Sequence, residues 1–163
     1  MAASPKSRRS VRARRAHEAR DVQGTVSFRY IETSALLAAL LEGEPAAQRA
    51  LGGDGRRITS ALTFAEAARG LVRARHAGRL SAPQERAALR WLKSFRRRCD
   101  VMCLTESVLV RAGRPYPEEP IRTLDAIHLA TAAEIGEPPQ FVTVVTRDER
   151  VRRNAQALGH PVG

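Results

Sequence analysis

Aromatic residues are scarce in this chain: four Phe, two Tyr and one Trp make up 4% of it. A hydrophobic core must therefore be built from Leu, Val, Ile and Ala. Cysteine is nearly absent. Cys99 and Cys103 are too few for a disulfide framework, and a zinc site would need further ligands that no nearby His pair supplies. They read as two reduced thiols in a cytosolic protein. No apolar run approaches the roughly 18–20 residues of a membrane span. Ser7-Arg8-Arg9-Ser10 is similar to a twin-arginine export signal, but more arginines follow it instead of an apolar segment. The protein is accordingly read as cytoplasmic, with no membrane partner. The sequence shows no internal repeat.

Positive charge, by contrast, is abundant. The 163 residues carry 28 Lys and Arg against 17 acids, a net +11, which favours a polyanionic partner. The charge is uneven: residues 1–29 hold eight Lys and Arg and two acids, leaving 20 against 15 for the rest. Residues 1–25 are poor in apolar side chains, so they read as a basic, disordered tail outside a folded domain over 26–163. Two readings of that tail stand side by side, a nucleic-acid-binding arm and a translation start that lies later, near Val22 or Val26.

Within the domain, strand and helix signals alternate. Val26–Ile31 alternates and is β-rich. Thr33 or Ser34 is placed to cap a helix over Ala35–Leu41 that Gly43 ends. Pro45–Leu51 reads as a short helix, Arg56–Thr59 as a strand, and Ser60 as the cap of a long helix to His76. Ser81 caps the next helix, which ends in Arg96-Arg97-Arg98. Val101–Leu104 is a strand, and Thr105 caps a short helix to about Ala112. Thr123 is placed to cap a helix ending at Gly136, Phe141–Thr146 is the strongest strand, and Asp148 opens a last helix to Leu158. His160-Pro161-Val162 could add a short edge strand. This alternation predicts a three-layer α/β/α sandwich around a mostly parallel sheet of four to five strands. Sites in such sheets lie outside the carboxyl ends of the strands.

Four acids fall near those ends or early in the helices that follow. Glu32 follows the first strand, and Asp148 comes two residues after the last strong one. Asp125 lies in the first turn of an otherwise apolar, Ala-rich helix. Glu66 lies in the helix after the second strand, about 9 Å along its axis. Singly, each reads as a helix-dipole or ion-pairing residue. Together they repel unless a cation or protonation relieves them. Hard oxygen ligands suit Mg²⁺ or Mn²⁺ with retained waters, and such ions activate water for displacement at phosphorus. His128 reads as a packed histidine, with acid/base work as the alternative. Thr33, Ser34 and Thr146 read as caps, with positioning of a water or a carboxylate as the alternative.

The segments Tyr30-Ile31-Glu32-Thr33-Ser34-Ala35-Leu36, Thr63-Phe64-Ala65-Glu66, Arg122-Thr123-Leu124-Asp125-Ala126-Ile127-His128-Leu129-Ala130 and Val145-Thr146-Arg147-Asp148-Glu149-Arg150 occur in that order. Over residues 26–163 the chain resembles PIN-domain proteins of the VapC toxin type. The resemblance implies Mg²⁺- or Mn²⁺-dependent cleavage of RNA, a homodimer, and a small cognate antitoxin as partner. Carried over by motif, Glu66, Asp125 and Asp148 match the family's acidic metal ligands, and Ser34 and Thr146 match hydroxyl positions beside them. Glu32 departs from the family, whose first acid is normally Asp. Its extra methylene moves the carboxylate out by roughly 1.5 Å, and Mg²⁺ is exacting about geometry. A PIN-like module that binds RNA or a partner without cutting is therefore the competing reading. A DNA-directed role ranks behind both, because no recognition-helix or zinc-finger pattern is present.

Overall fold

A computed structural model describes residues 27–163 of the chain. The expected basic tail over 1–25 lies outside the described residues. Four strands form the sheet: β1 (Phe28–Ile31), β2 (Arg56–Ser60), β3 (Asp100–Met102) and β4 (Val142–Val145). All pairings are parallel and the order is β3-β2-β1-β4. The chain thus winds outward from β1 through β2 to β3, then returns to the other side of β1 with β4. That reversal creates a topological switch point between β1 and β4, where the crevice beyond the strand ends takes ligands in open α/β sheets.

Alternation along β1 and β4 supplies two apolar faces. Ile31 and Val145 pack with Leu36, Phe64, Leu71, Leu92 and Phe95 on one side. Phe28, Tyr30, Val142 and Val144 pack with Leu129, Val151 and Ala155 on the other. The first side is covered by α1 (Thr33–Leu37), its π-helical extension Ala38–Glu42, α2 (Pro45–Gly52), α3 (Ala61–His76) and α4 (Ala82–Arg96). After α5 (Glu106–Ala112), helices α6 (Thr123–Ala133) and α7 (Glu149–Ala157) cover the second. The α/β/α sandwich is as the alternation predicts.

Several local expectations shift. Ser60, Ser81 and Thr105 cap their helices, Ser81 through a reciprocal box with Gln84. The first helix is capped instead by the side chain of Glu32, not by Thr33 or Ser34. Thr123 is the first residue of α6 and Arg122 holds the cap position, with no side-chain bond there. The third strand starts at Asp100, which pairs with Ile58 of β2, and its carboxylate meets Arg56 Nε at 2.6 Å. His160-Pro161-Val162 adds only a single bridge, Val144 to Val162. Among the described residues no helix is long and apolar enough to cross a membrane.

Candidate active site at the switch point

Glu32 leaves β1 with an extended backbone, and its carboxylate folds back to accept the Ser34 N–H at 3.0 Å. The same oxygen, Oε2, also accepts from the Ser34 hydroxyl and from Thr146 Oγ1, the latter at 2.9 Å. The two hydroxyls in turn receive backbone donors from the end of β4. Ser34 Oγ accepts from Arg147 N at 2.7 Å and Asp148 N at 3.1 Å, and Thr146 Oγ1 accepts from Asp148 N at 3.0 Å. Ser34 and Thr146 therefore tie the ends of β1 and β4 together around one carboxylate that is only 5% exposed.

Glu66 is held in a similar way from α3. Its Oε2 accepts from Thr33 Oγ1 at 2.6 Å and lies 2.7 Å from His128 Nε2. Burial pushes this carboxyl up, but the hydrogen bonds from His128 and Thr33, with the charge of Arg73, outweigh burial and hold it below its ordinary value. No hydrogen bond from a described residue reaches Oε1 of Glu32 or of Glu66. Each glutamate is thus fixed by one oxygen and open at the other. His128 Nε2 stands 3.8 Å from Glu32 Oε1, between the two.

Asp148 caps α7, its Oδ1 accepting from Arg150 N at 2.8 Å and Val151 N at 3.3 Å. Asp125 is different. It occupies the third position of α6, where the helix dipole favours an anion. Even so, its Oδ2 is buried with no hydrogen-bond partner among the described residues. Burial raises its pKa first, and the negative charges of Asp148 and Glu32 raise it further; Arg122 and His128 only partly offset them. Asp125, Asp148 and Glu32 therefore share one electrostatic neighbourhood.

Of the four acids expected from the sequence, Asp125 lies within charge range of Asp148 and Glu32, and Glu66 is joined to Glu32 through His128. Among the described residues, no three His, Cys, Asp or Glu side chains converge into a ready-made metal cage. The donor set nonetheless fits a hard divalent cation. An orphaned buried carboxylate oxygen beside two like charges is relieved by a proton or by a counter-charge, and Mg²⁺ keeps several waters rather than demanding a full protein cage. His128 is both packed, at 1% exposure, and bonded to a site acid. Tyr30 was legible only as a strand residue. Its signal was polarity: a buried phenol needs a partner, and strand alternation turns residue 30 toward the α6 side.

With that geometry in place, the likeness to known proteins is informative. The PIN domain profile matches residues 29–157. Ribonuclease VapC46 of Mycobacterium tuberculosis is 36% identical over 135 residues, covering 82% of this chain and 94% of that protein. Among solved structures, Mycobacterium tuberculosis VapC20, a sarcin-ricin loop cleaving toxin, superposes with a TM-score of 0.59 at 18% identity, covering 81% and 95% of the two chains. VapBC2 of Rickettsia felis, bound to a DNA fragment from its promoter, superposes with a TM-score of 0.58 at 14% identity, covering 83% and 97%.

Proposed function

This chain belongs to the PIN domain family, and on that premise we propose that it is a metal-dependent endoribonuclease, the toxin of a toxin–antitoxin pair. The observation that carries the reading is the unpartnered, buried Oδ2 of Asp125 beside the charges of Asp148 and Glu32. Asp125, Asp148 and the open Oε1 atoms of Glu66 and Glu32 would hold Mg²⁺ or Mn²⁺. When bound, such an ion lowers the pKa of a coordinated water and offsets charge on the scissile phosphate.

The chain's own residues do the rest. Ser34 and Thr146 fix Glu32 and, through the Arg147 and Asp148 amides, the start of α7. Thr33 and His128 fix Glu66. Arg69 and Arg73 are exposed on α3, three and seven residues beyond Glu66 and so on its side of the helix. They are placed to hold the RNA backbone next to the acids. Such phosphate contacts position a strand without reading its sequence.

The partners in this reading are an RNA substrate, a small antitoxin and a second copy of the chain, all in the cytoplasm. The VapBC2 likeness supports the antitoxin. Leu109, Val110 and Leu124 are 49%, 55% and 45% exposed and offer apolar surface for pairing.

One observation favours a second reading, a weakened module that binds RNA or a partner without cutting. Glu32 spends Oε2 on three donors and serves as a helix cap, so it has less freedom than a ligand alone would need. Labelled single-stranded RNA, structured RNA and DNA, incubated side by side with the protein and Mg²⁺ or Mn²⁺, separate the two. Metal-dependent RNA products support the nuclease, retention without product supports the binding module, and cleavage of DNA alone contradicts both.

A further inference from the structure

Two buried polar residues, Tyr30 and His128, lie behind the acids. Tyr30 is fully buried on β1 among Phe28, Ile58, Leu129 and Val144, and His128 is 1% exposed on α6. Packing alone has no need of a phenol and an imidazole there, and a buried polar group costs free energy unless it is bonded. Both are bonded. Tyr30 Oη lies 2.8 Å from His128 Nδ1, and His128 Nε2 lies 2.7 Å from Glu66 Oε2.

The chemistry sets the direction of each bond. An ionised carboxylate only accepts, so the ring nitrogen facing Glu66 carries the hydrogen. In the neutral ring that leaves Nδ1 with a lone pair, and the Tyr30 O–H is the donor that meets it. A phenol keeps its hydrogen at neutral pH and so can make that donation. Thr33 Oγ1, 3.2 Å from Nε2, adds its own bond to Glu66 Oε2 at 2.6 Å.

We propose that Tyr30 and His128 form a buried donor relay, Tyr30 O–H to Nδ1 and Nε2–H to Glu66, that fixes Glu66 by Oε2 and leaves Oε1 for the cation. His128 is then a positioning residue, its tautomer set by Glu66 and completed by the Tyr30 hydroxyl. An outer hydrogen bond of this kind orients a ligand, and its loss typically weakens metal binding. The proposal rests on the metal-dependent reading of the site.

Two measurements on the full chain test it. The first is ¹⁵N NMR of histidine-labelled, metal-free protein. The expected result is protonated Nε2 and unprotonated Nδ1 at His128, with the Nδ1 resonance shifting in Tyr30→Phe. A hydrogen on Nδ1 overturns the relay. The second is Mn²⁺ titration followed by electron paramagnetic resonance, with thermal unfolding recorded in parallel. The Gln amide nitrogen reaches the place of Nε2, whereas the Asn amide nitrogen reaches that of Nδ1. His128→Gln should hold Mn²⁺ within about threefold of the wild type, and His128→Asn should lose on the order of 10–100-fold. General damage to packing would weaken both alike. Equal losses, or none in either, overturn the relay alone, whereas a wild type that binds no Mn²⁺ overturns the metal reading and the relay's purpose with it.

Discussion

Replacing Asp125 with Asn should stabilise the metal-free protein while removing its activity. The wild-type site buries Oδ2 without a partner, next to the charges of Asp148 and Glu32. An unsatisfied buried polar atom costs about 1–3 kcal/mol. Asp125 is only partly buried, so solvent screening places the gain near the lower end, about 1 kcal/mol. Asn keeps the shape, loses the charge, and adds an N–H₂ that can donate to the neighbouring acids. For a domain of this size the gain corresponds to a rise in Tm of about 2–4 °C, readable by circular dichroism in EDTA. The pH dependence has a definite sign. The folded-state pKa of Asp125 lies above the ordinary 3.8, so between those two values the native state binds more protons than the unfolded one. Wild-type stability therefore falls as pH rises through that window, and the penalty persists above it. The advantage of Asn should be present at neutral pH and vanish below pH 3.8. Mn²⁺ should reverse the order: at about 100 times its Kd it adds about 2.7 kcal/mol to a protein that binds it, and the variant gains little. An Asn variant less stable than the wild type in EDTA at neutral pH, or an advantage that does not change with pH, would refute the reasoning.

Other consequences are smaller in scope. Glu32→Asp keeps a good helix cap and draws the carboxylate back by roughly one methylene, and because about 1 Å of misplacement can cost on the order of a hundredfold in rate, it should raise the cleavage rate; an unchanged or lower rate shows that the methylene does not impair catalysis. His160 is 4% exposed with Nδ1 3.1 Å from the Val142 carbonyl, and burial, foremost, pulls its pKa below 6.5. The unfolded state then takes up the proton first as pH falls, so stability should drop below pH 6.5. That slope, measured by urea unfolding, should flatten in His160→Gln, and an identical slope would exclude His160 as its source. Arg73→Gln should reduce the dependence of log RNA affinity on log salt by about 0.7, and an unchanged slope would remove Arg73 from the interface.

Much of the fold could be read from residue order, because its signals are local. Ser60 and Thr105 sit at helix starts for reasons that a few neighbouring residues carry. Gly43, at φ 60°, ends the first helix because the left-handed region suits glycine. The acids stood out because helix starts in an apolar run gave Asp125 no packing role. What could not be read depends on distant partners. Glu is not a favoured cap, and the oxygen by which Glu32 caps the helix is also held by Thr146, 114 residues on. The Tyr30–His128 bond joins residues 98 apart. The start of the last strand differs for a local reason: Phe141 has the propensity for a strand, but it closes a 3₁₀ turn with Pro139 and Gln140. The π-helical turn at Ala38–Glu42 left no mark in a run of Ala and Leu that suits any helix.

The central claim, a metal-dependent ribonuclease built on these four acids, is tested most directly by incubating purified protein with total RNA in Mg²⁺, Mn²⁺ or EDTA, beside Asp125→Asn. The account predicts cleavage that requires the metal and disappears in the variant. Folded protein that leaves RNA intact with either metal, or cleavage that survives in EDTA or in Asp125→Asn, would contradict it.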